Sequence, residues 1–493
     1  MGNLVDKTIG FFSPERAVRR AQARKVLAYY EAGRHDGQRK QRKETGSGNV
    51  AVLAAGSSLR EQARHLDQNH DIAKGALNAL VQNIIGPNGI QVEPQPRTKS
   101  GDIHDDLARK IEQLWGDWCL KPEVTHQHDY PSAQRISCRT WLRDGEMLKQ
   151  KVSGNVASLT HGTVVPYSIE LIEPDFLPLD LSVSGNQRIV AGIEINGWNR
   201  PVAFHVYRYH PGEYFWTPDI SSMKRVSADR IDHIKLIDRI GQLRGVSIFA
   251  SVMHRLDDIK DYEESERIAA KVAASMAAFI KKGVPDDYKE DDALAPRDMR
   301  FRPGMVFDDL QPGEDIGTID TNRPNPQLEP HRNGQLRAAS KGLSTTYSAL
   351  SGDYNGTYSA QRQELVEGYG AYGVLASEFI GQFVRPDYLQ FLEMAITSGQ
   401  LVLPADIDPL SLGDAFYQPP QMPWIDPVKE SVAWGNLEEN GHASGIEIIR
   451  KRGMKPRDVA DQQKRWQKIK GDQPNQLKDA GAKAWHMATT GDK

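Results

Sequence analysis

The chain has 493 residues, of which 39% are hydrophobic and 26% charged, and a formal net charge of −3. This length allows two to four domains and a sizeable core, and the composition excludes wholesale disorder. The nearly neutral charge argues against general polyanion binding by the whole molecule. Cys119 and Cys138 are the only cysteines and form no Cys-x-x-Cys pair, which indicates a reducing compartment such as the cytoplasm.

The sequence contains no pattern typical of a membrane-spanning segment or a secretory signal. The N-terminus lacks a basic region followed by a long apolar stretch. The most apolar helical run, 268–280, contains Lys271 and is too short to cross a bilayer. We therefore expect no membrane partner.

Charge is distributed unevenly along the chain. Residues 14–43 contain ten Lys or Arg and three acidic residues. Residues 450–470 contain nine Lys or Arg and two acidic residues. Between residues 253 and 330 there are 11 basic and 18 acidic residues. One interpretation is a set of solvated helix faces. The other is that the basic ends touch nucleic acid or a partner, while the acidic middle repels DNA.

The N-terminal half begins with a basic segment, 1–50, in which 34–50 has the composition of a flexible linker. Apolar residues at three- and four-residue spacing predict the first helices, and the turns GPNG (86–89) and Asp144-Gly145 end two of them. These helices are predicted over 14–31, 57–85, 102–118 and 135–143.

The pattern changes after residue 146. Short β-like runs alternate with Gly, Pro and Asn turns as far as residue 240, which predicts a half-buried mixed sheet. A long helix with an acidic polar face is predicted over 245–280, followed by a turn-rich, strand-like insert over 281–327. A further helix is predicted over 328–350.

A glycine-rich segment, SGDYNGTYSAQRQELVE, occupies residues 351–367 and leads into a very long helix predicted over 357–398. Pro386 lies within that helix and favours a kink. A proline-rich stretch, 404–427, precedes a helical C-terminal segment, and we expect the last twenty residues to be disordered.

A glycine-rich turn before a helix can be a phosphate cradle, a nucleophile turn or a helix start. GDYNG contains no Lys or Arg, and the chain has no Gly-Lys dipeptide, which argues against a phosphate cradle and excludes a Walker A loop. The chain also lacks Gly-x-Ser-x-Gly and His-Glu-x-x-His. The loop is therefore best interpreted as a flexible helix start.

The sequence gives little support for a metal site or for acid–base catalysis. His126 and His128 are two residues apart without a third ligand, a pattern more typical of a surface loop than of a metal site. The paired acids Asp257-Asp258, Asp286-Asp287 and Asp308-Asp309 occur in contexts typical of solvated faces. We predict no catalytic residue, no metal ligand and no cofactor.

The order of several motifs points to a known family. GQLRGVSIFASVMHRLDDIKDY, PGMVFDDLQPGEDI, NRPNP and ALSGDYNGTYSAQRQELVE follow one another between residues 241 and 367, and NIIGPNGI, RDGE and IELIEPDFL precede them. Together they resemble the lambda-like portal proteins of tailed bacteriophages, over roughly residues 50–430. The family's loop usually reads Tyr-Ser-Ser-Ala-Arg, whereas here residues 358–362 read Tyr-Ser-Ala-Gln-Arg.

The resemblance implies an α+β portal fold. It assigns a mixed α/β wing to 51–245 and 359–430, and a stem to two helices, 246–276 and 328–350. A small β-rich clip would occupy 277–327 and a tunnel loop 351–358. The remainder, 431–493, would form a helical crown and a flexible tail.

The resemblance also implies a function. Portal subunits form a homo-oligomeric ring, typically of twelve copies, at one capsid vertex of the virion, after assembly in the host cytoplasm. Double-stranded DNA passes through the axial channel during packaging and ejection. The implied partners are the terminase large subunit, the major capsid protein and scaffold, and head-completion or adaptor proteins.

Two sets of site residues follow from this mapping. The tunnel loop would project into the channel, where its polar side chains could make weak, replaceable hydrogen bonds to phosphate. Its residues are Gly352, Asp353, Tyr354, Asn355, Gly356, Thr357 and Tyr358. The acidic residues of the clip are candidates for terminase docking. They are Asp286, Asp287, Asp291 and Asp292.

Two other classes of function stay open at this point. One is a nucleic-acid-processing enzyme, such as a nuclease or head protease. The other is a capsid scaffold or adaptor that forms no ring. A ring detected by native mass measurement or electron microscopy would favour the portal hypothesis over the enzyme and over the scaffold or adaptor. Metal-dependent DNA cleavage would favour the enzyme.

Overall fold

The computed structural model describes residues 46–185, 188–213, 223–274, 278–282, 314–318 and 325–470. Within these residues the fold is α+β, as predicted, with helices and four small antiparallel sheets. The predicted helix 14–31, residues 34–45 of the predicted linker and the last twenty residues lie outside the described residues. Residues 48–50, predicted as the end of that linker, instead begin a helix. No helix in the described part of the chain is long and apolar enough to cross a membrane.

The prediction of one helix over 57–85 is wrong, because two helices occupy this region: α1, Gly48–Asn69, and α2, Asp71–Ile84. The first begins earlier because the Ser47 side chain accepts a hydrogen bond from the amide of Val50 and so caps it. His70 separates the two helices with extended backbone angles. Its side chain is buried, and Nε2 lies 2.9 Å from the carbonyl oxygen of Leu256. This tertiary contact accounts for the break.

The next two helices confirm their predictions with small changes at the ends. Helix α3 spans Asp105–Leu120 and α4 spans Tyr130–Asp144. The second begins five residues before the predicted start because the side chain of Asp129 accepts from the amide of Ser132. It ends, as predicted, at Asp144-Gly145, where Gly145 has φ +86°.

The predicted mixed sheet is divided into two antiparallel sheets. The first has three strands in the order β3-β2-β8, and the second has four in the order β4-β5-β6-β7. The strands are β2 Glu146–Ser153, β3 Tyr167–Ile172, β4 Arg188–Val190, β5 Ile193–Ile195, β6 Pro201–Tyr207, β7 Met223–Ser227 and β8 Ile231–Lys235. A separate pair joins β1, Gln91–Pro94, to β11, Ala415–Gln418.

The predicted helix over 245–280 is shorter in the structure. A 3-10 turn at Ile248–Ser251 precedes α5, Met253–Ala274. Residues Ala278–Lys282 form a strand, β9, instead of continuing the helix, and pair with β10, Glu314–Thr318. The long-range pairing of these strands overrides the local helical pattern. Both strands lie within 277–327, the region expected to be rich in β-structure.

The helix predicted over 328–350 is also interrupted. Helix α6 spans Leu328–Gly342 and a short helix, α7, spans Tyr347–Ser351. Ser344 lies between them with φ +53°, a left-handed conformation that a helix cannot contain. The chain therefore turns sharply just before the glycine-rich loop.

The very long helix after the loop is confirmed from residue 358 to 397. It consists of α8, Tyr358–Phe379, a π-helical turn, Ile380–Val384, and α9, Arg385–Thr397. Pro386 occupies the first turn of α9, directly after the π-helical turn, where its missing N–H is accommodated. Three more helices follow β11: α10 Pro427–Glu439, α11 Gly445–Lys451 and α12 Pro456–Lys470.

The main hydrophobic core connects most of these elements. Its centre is aromatic: the Trp118 ring stacks on Tyr167 at 5.3 Å and on Trp115 at 4.8 Å between ring centroids. Phe391 of α9 packs edge-on against Trp115. Helices α3, α4 and α9 and strand β3 are therefore fixed to one another, and α8 joins them at its C-terminal end through the π-helical turn.

Candidate functional site

The loop between α7 and α8 is defined by hydrogen bonds at both ends. Thr346 caps α7 by accepting from the amide of Ala349, and Gly352 ends α7 with φ +69°. Thr357 caps α8 by accepting from the amide of Ala360. Each cap is worth about 1 kcal/mol. The sequence predicts a helix from residue 357, and in the structure Thr357 is the residue that caps it.

Inside the loop, Asp353 organises the backbone. Its amide donates to the Ser351 hydroxyl at 3.1 Å, and its Oδ1 accepts from the amide of Asn355 at 2.9 Å. The Gln361 side chain reaches back from α8 and donates to the carbonyl oxygen of Tyr354. The loop is therefore a folded turn with its own hydrogen bonds, although it buries little apolar surface.

The aromatic side chains of the loop point into solvent. Tyr354 is 69% exposed and Tyr358 is 54% exposed. No Lys or Arg occurs between Lys341 and Arg362, so the loop itself carries no positive charge. Outside the loop, Asp426 raises the pKa of Lys429 in α10, and Tyr358 adds to that effect. The loop offers hydroxyl and amide groups to a passing ligand, with no fixed cation of its own.

The loop is attached to α8 by close packing behind it. Gly368 of α8 lies against Thr346, and a Cβ at this glycine would overlap the Thr346 methyl group. The Thr345 hydroxyl lies 3.0 Å from the hydroxyl of the buried Tyr372, and the amide of Ser348 donates to Glu364 at 3.0 Å. The base of the loop is consequently fixed to the long helix, while its tip is exposed.

Helices α5 and α6 pack side by side ahead of the loop. Leu256 and Ile259 of α5 and Leu336 of α6 are buried, and Arg332 pairs with Glu263 across the helices. Four other acids of the predicted polar face of α5 are exposed: Asp257, Asp258, Asp261 and Glu264. Glu266, also predicted to lie on that face, is half-buried and accepts a hydrogen bond from the Asn325 side chain. The interpretation of Asp257-Asp258 as a solvated pair is confirmed.

A buried ion cluster joins the RDGE and GQLRG motifs, and sequence reasoning missed it. Glu146 lies 2.6 Å from Arg244 and 2.9 Å from both Arg60 and His233, and accepts from the amide of Gly245. The motifs were visible in the sequence, but their contact was not, because residues 146 and 244 are distant along the chain. Since Gly145 O would clash with a Cβ at Gly245, the two backbones need glycine there.

The electrostatics of this cluster have a clear direction. Burial opposes ionisation of Glu146, but Arg244 and His233 outweigh it and hold its pKa well below the ordinary value. Burial lowers the pKa of His233, and Lys235 and Arg244 add to the effect. Because Nδ1 of His233 is buried without a partner, the neutral ring donates from Nε2 to Glu146.

A second buried ion pair connects the three-stranded sheet to α9. Lys149 Nζ lies 2.7 Å from Asp387 Oδ1, and both side chains are fully buried. The hydroxyl groups of Tyr130 and Tyr167 also donate to Asp387, at 2.9 and 2.7 Å. Phe383 covers the ammonium group, 4.1 Å from its ring centroid. The Asp387 carboxylate is bound by side chains from α4, β2 and β3. This buried ion pair therefore connects those elements to α9.

The structure describes only some of the remaining sequence candidates. His126 is exposed on a surface loop, with φ +58°, as the weak histidine pattern indicated. Among the described residues, Glu173, Asp175 and His210 bring ligand atoms within 4.8 Å of one another. Asp175, however, pairs with Arg60 and Arg64, which supply the positive charge a metal would provide. The clip aspartates and Asp308-Asp309 lie outside the described residues.

Comparison with known proteins gives the same family as the motifs. Residues 34–374 match the lambda family of phage portal proteins. The chain is 24% identical over 443 residues to the probable portal protein of Halomonas phage phiHAP-1, covering 85% of this chain and 82% of the relative. It is 20% identical over 394 residues to portal protein B of Escherichia phage lambda, covering 72% of each.

Solved structures give two further similarities at low identity. A chain in the virion of the native gene transfer agent (GTA) particle is 12% identical, with a TM-score of 0.41, covering 83% of this chain and 99% of that one. A chain in the neck of the native GTA particle, computed with C12 symmetry, is 13% identical, with a TM-score of 0.40 and coverages of 84% and 97%.

The described residues form an α+β body, two packed helices and an exposed loop fixed to a long helix. The family match covers more than half of the chain and includes all of these elements as far as α8. The chain belongs to the lambda family of phage portal proteins. It is therefore a structural component of a phage virion.

Proposed function

We propose that the chain forms a closed homo-oligomeric ring, of twelve subunits, at one vertex of the capsid. The axial channel passes double-stranded DNA during packaging and ejection. The ring is assembled in the host cytoplasm with the major capsid protein and scaffold. The terminase large subunit docks on its outer end, and head-completion or adaptor proteins replace it later.

The observation that carries this proposal is the exposed loop of residues 351–358, fixed behind by Gly368 and free of positive charge. Binding to each phosphate through a cation adds salt-dependent affinity, which would hold DNA in place. Hydroxyl and amide groups of Tyr354, Asn355 and Tyr358 form weaker bonds that exchange easily as DNA slides. The adjoining helices α5 and α6 form the stem in this proposal.

Electron microscopy and native mass measurement of the purified chain test the ring. We expect a closed ring of 55.1 kDa subunits with a central hole. A chain that stays monomeric at high concentration would contradict the proposal and favour a scaffold or adaptor. Metal-dependent DNA cleavage that is lost on carboxylate substitution would instead favour a nucleic-acid-processing enzyme.

Shortening the loop tests its role in the channel. Deletion within 352–356 leaves α7, α8 and their contact at Gly368 in place, so we expect rings to form normally. DNA packaging or retention should fail, because the groups that contact DNA are displaced. Failure of ring assembly would instead give the loop a structural role. Single substitution of Leu410, an exposed residue far along the chain, provides the control.

Charge reversal in the clip tests terminase docking. We expect substitution of Asp286, Asp287, Asp291 and Asp292 by lysine to weaken terminase binding, because the acidic surface would become basic. Reversal of the exposed stem pair Asp257 and Asp258 is the matched control. Unchanged terminase binding by the clip variant would contradict the assignment of these aspartates.

A further inference from the structure

The three C-terminal helices leave large apolar side chains in solvent. None of α10, α11 and α12 contains a buried residue. On α10, Val428 is 72% exposed and Val432 49%, and on α12, Trp466 is 56% exposed and Ile469 69%. Most of the stability of a protein helix comes from packing of its apolar face. Within the part of the chain that the structure describes, nothing therefore buries these apolar side chains.

Among the described residues, the ion pairs that attach α12 to the rest of the subunit lie in the first half of the helix. Arg457 pairs with Asp105 at 3.1 Å, and Asp461 pairs with Arg109 at 3.0 Å. Residues 462–470 are all exposed. A helix of 15 residues is marginal in water by itself, so its second half needs an external contact to persist.

Two exposed apolar residues of α10 share one face and two of α12 share another, whereas Leu437 of α10, 40% exposed, lies on the opposite side from Val428. In α10, Val428 and Val432 are four residues apart and Glu439 is seven residues further, so all three share a face. In α12, Ile469 and Lys470 follow Trp466 by three and four residues and share its face. Each face consists of an apolar patch with one charged residue at its C-terminal end.

The charges of the two helices are opposite. Helix α10 has one lysine and three glutamates, a formal charge of −2, whereas α12 has five basic and two acidic residues, a formal charge of +3. Within the part of the chain that the structure describes, Glu439 and Lys470 form no ion pair. The two surfaces are therefore complementary in both apolar character and charge.

We propose that α12 of one subunit packs against α10 of a second copy of this chain, its neighbour in the ring. Trp466 and Ile469 cover Val428 and Val432, and Lys470 lies beside Glu439. The inference rests on the proposed ring. A head-to-tail ring uses two different surfaces at every interface, and an acidic helix and a basic helix satisfy that requirement.

Cross-linking of full-length rings tests the pairing. In a Cys119→Ser background, Val432→Cys and Ile469→Cys are combined and treated with a short bifunctional maleimide. Cys138 is fully buried and is retained. We expect a ladder of covalent oligomers up to the closed ring. The matched control combines Val432→Cys with Lys468→Cys, which lies on the opposite face of α12, and should give no ladder.

Exchanging the charges of Glu439 and Lys470 provides a second test, measured as the amount of cross-linked product from the same pair of cysteines. Glu439→Lys should cause loss of most of the cross-linked product, and adding Lys470→Glu should restore it. Intact rings that give no ladder, or a ladder equal to that of the control, would overturn the pairing and leave the proposed ring standing. Absence of rings from the unmodified chain would contradict the proposed function itself, so the two failures are distinguishable.

Discussion

At the scale of single residues, the strongest constraints are buried charges. Lys149 should not tolerate replacement by methionine, because Asp387 would be left as an unpaired buried charge. We expect Lys149→Met to lower the free energy of unfolding by about 3–5 kcal/mol. Urea unfolding monitored by tryptophan fluorescence measures this, since Trp118 hydrogen-bonds to Tyr167 in the same cluster.

Two variants act as controls for this prediction. Lys110 is exposed on α3, and Lys110→Met should change the free energy of unfolding by less than about 0.5 kcal/mol. Adding Asp387→Asn to Lys149→Met removes both charges of this pair and keeps an acceptor for a tyrosine. Asp232, 3.3 Å from Lys149 Nζ, keeps its charge and its pairing with Lys151, so part of the stability should return. If Lys149→Met alone leaves the urea unfolding midpoint unchanged, the Lys149–Asp387 pair contributes no net stability.

His233 predicts a specific dependence of stability on pH. Its folded pKa is lowered from the ordinary value of 6.5, because burial disfavours the charged ring. The unfolded chain therefore binds more protons, and stability falls as pH drops below 6.5, by at most about 1.4 kcal/mol per pH unit. Glu146, whose pKa lies well below 4.5, adds a further loss of stability below pH 4.5.

The variant His233→Gln isolates the histidine contribution. Its amide can still donate to Glu146 but does not titrate, so we expect a flatter stability profile between pH 6.5 and 4.5. Urea midpoints measured across this range provide the test. His126→Gln, on an exposed loop, should leave the slope unchanged. Parallel profiles for wild type and His233→Gln would show that another group titrates.

At the scale of elements, the loop depends on one close contact. Gly368→Ala should force α8 away from Thr346, because the new methyl group overlaps the threonine side chain. We expect a loss of about 1–3 kcal/mol and faster chymotrypsin cleavage at Tyr354 and Tyr358. Gly370 faces open space, so Gly370→Ala should be neutral or stabilising by about 0.5–1 kcal/mol. Equal cleavage of the two variants would contradict this anchoring.

The sequence predicts regular elements better than their interruptions. Apolar spacing identified the helix from 358 to 397, and the β-like region predicted between residues 146 and 240 contains the strands β2 to β8. It did not predict the break at His70, which depends on Leu256, far along the chain. The end of α5 and the strand β9 were missed for the same reason, since β9 exists through its pairing with β10.

At the scale of the whole molecule, charge distribution predicts weak DNA binding by the ring. The loop contributes no cation, and α5 has six acidic and four basic residues. We expect purified rings to bind short duplex DNA no more tightly than about 10⁻⁶ M at physiological salt. Fluorescence anisotropy across a salt series measures both the affinity and its salt dependence.

A single loop substitution checks the cause of that weak binding. Asn355→Lys adds one cation per subunit and should tighten DNA binding. A plot of the logarithm of the binding constant against the logarithm of the salt concentration should become steeper by about 0.9 for each phosphate contacted. Trp198→Lys places the same charge on the exposed surface of the four-stranded sheet region and should have no such effect. Tight binding by the unmodified ring would contradict a channel in which DNA slides freely.

The sequence by itself determined the α+β class, most helices and the order of motifs that defines the family, because these depend on local spacing and residue type. It also identified the loop of residues 351–358 and its lack of cations. Only the tertiary structure decided how RDGE meets GQLRG, how Lys149 meets Asp387 and how Gly368 fixes the loop. Those contacts join residues distant in the chain, and local patterns carry no information about which distant partner a side chain meets.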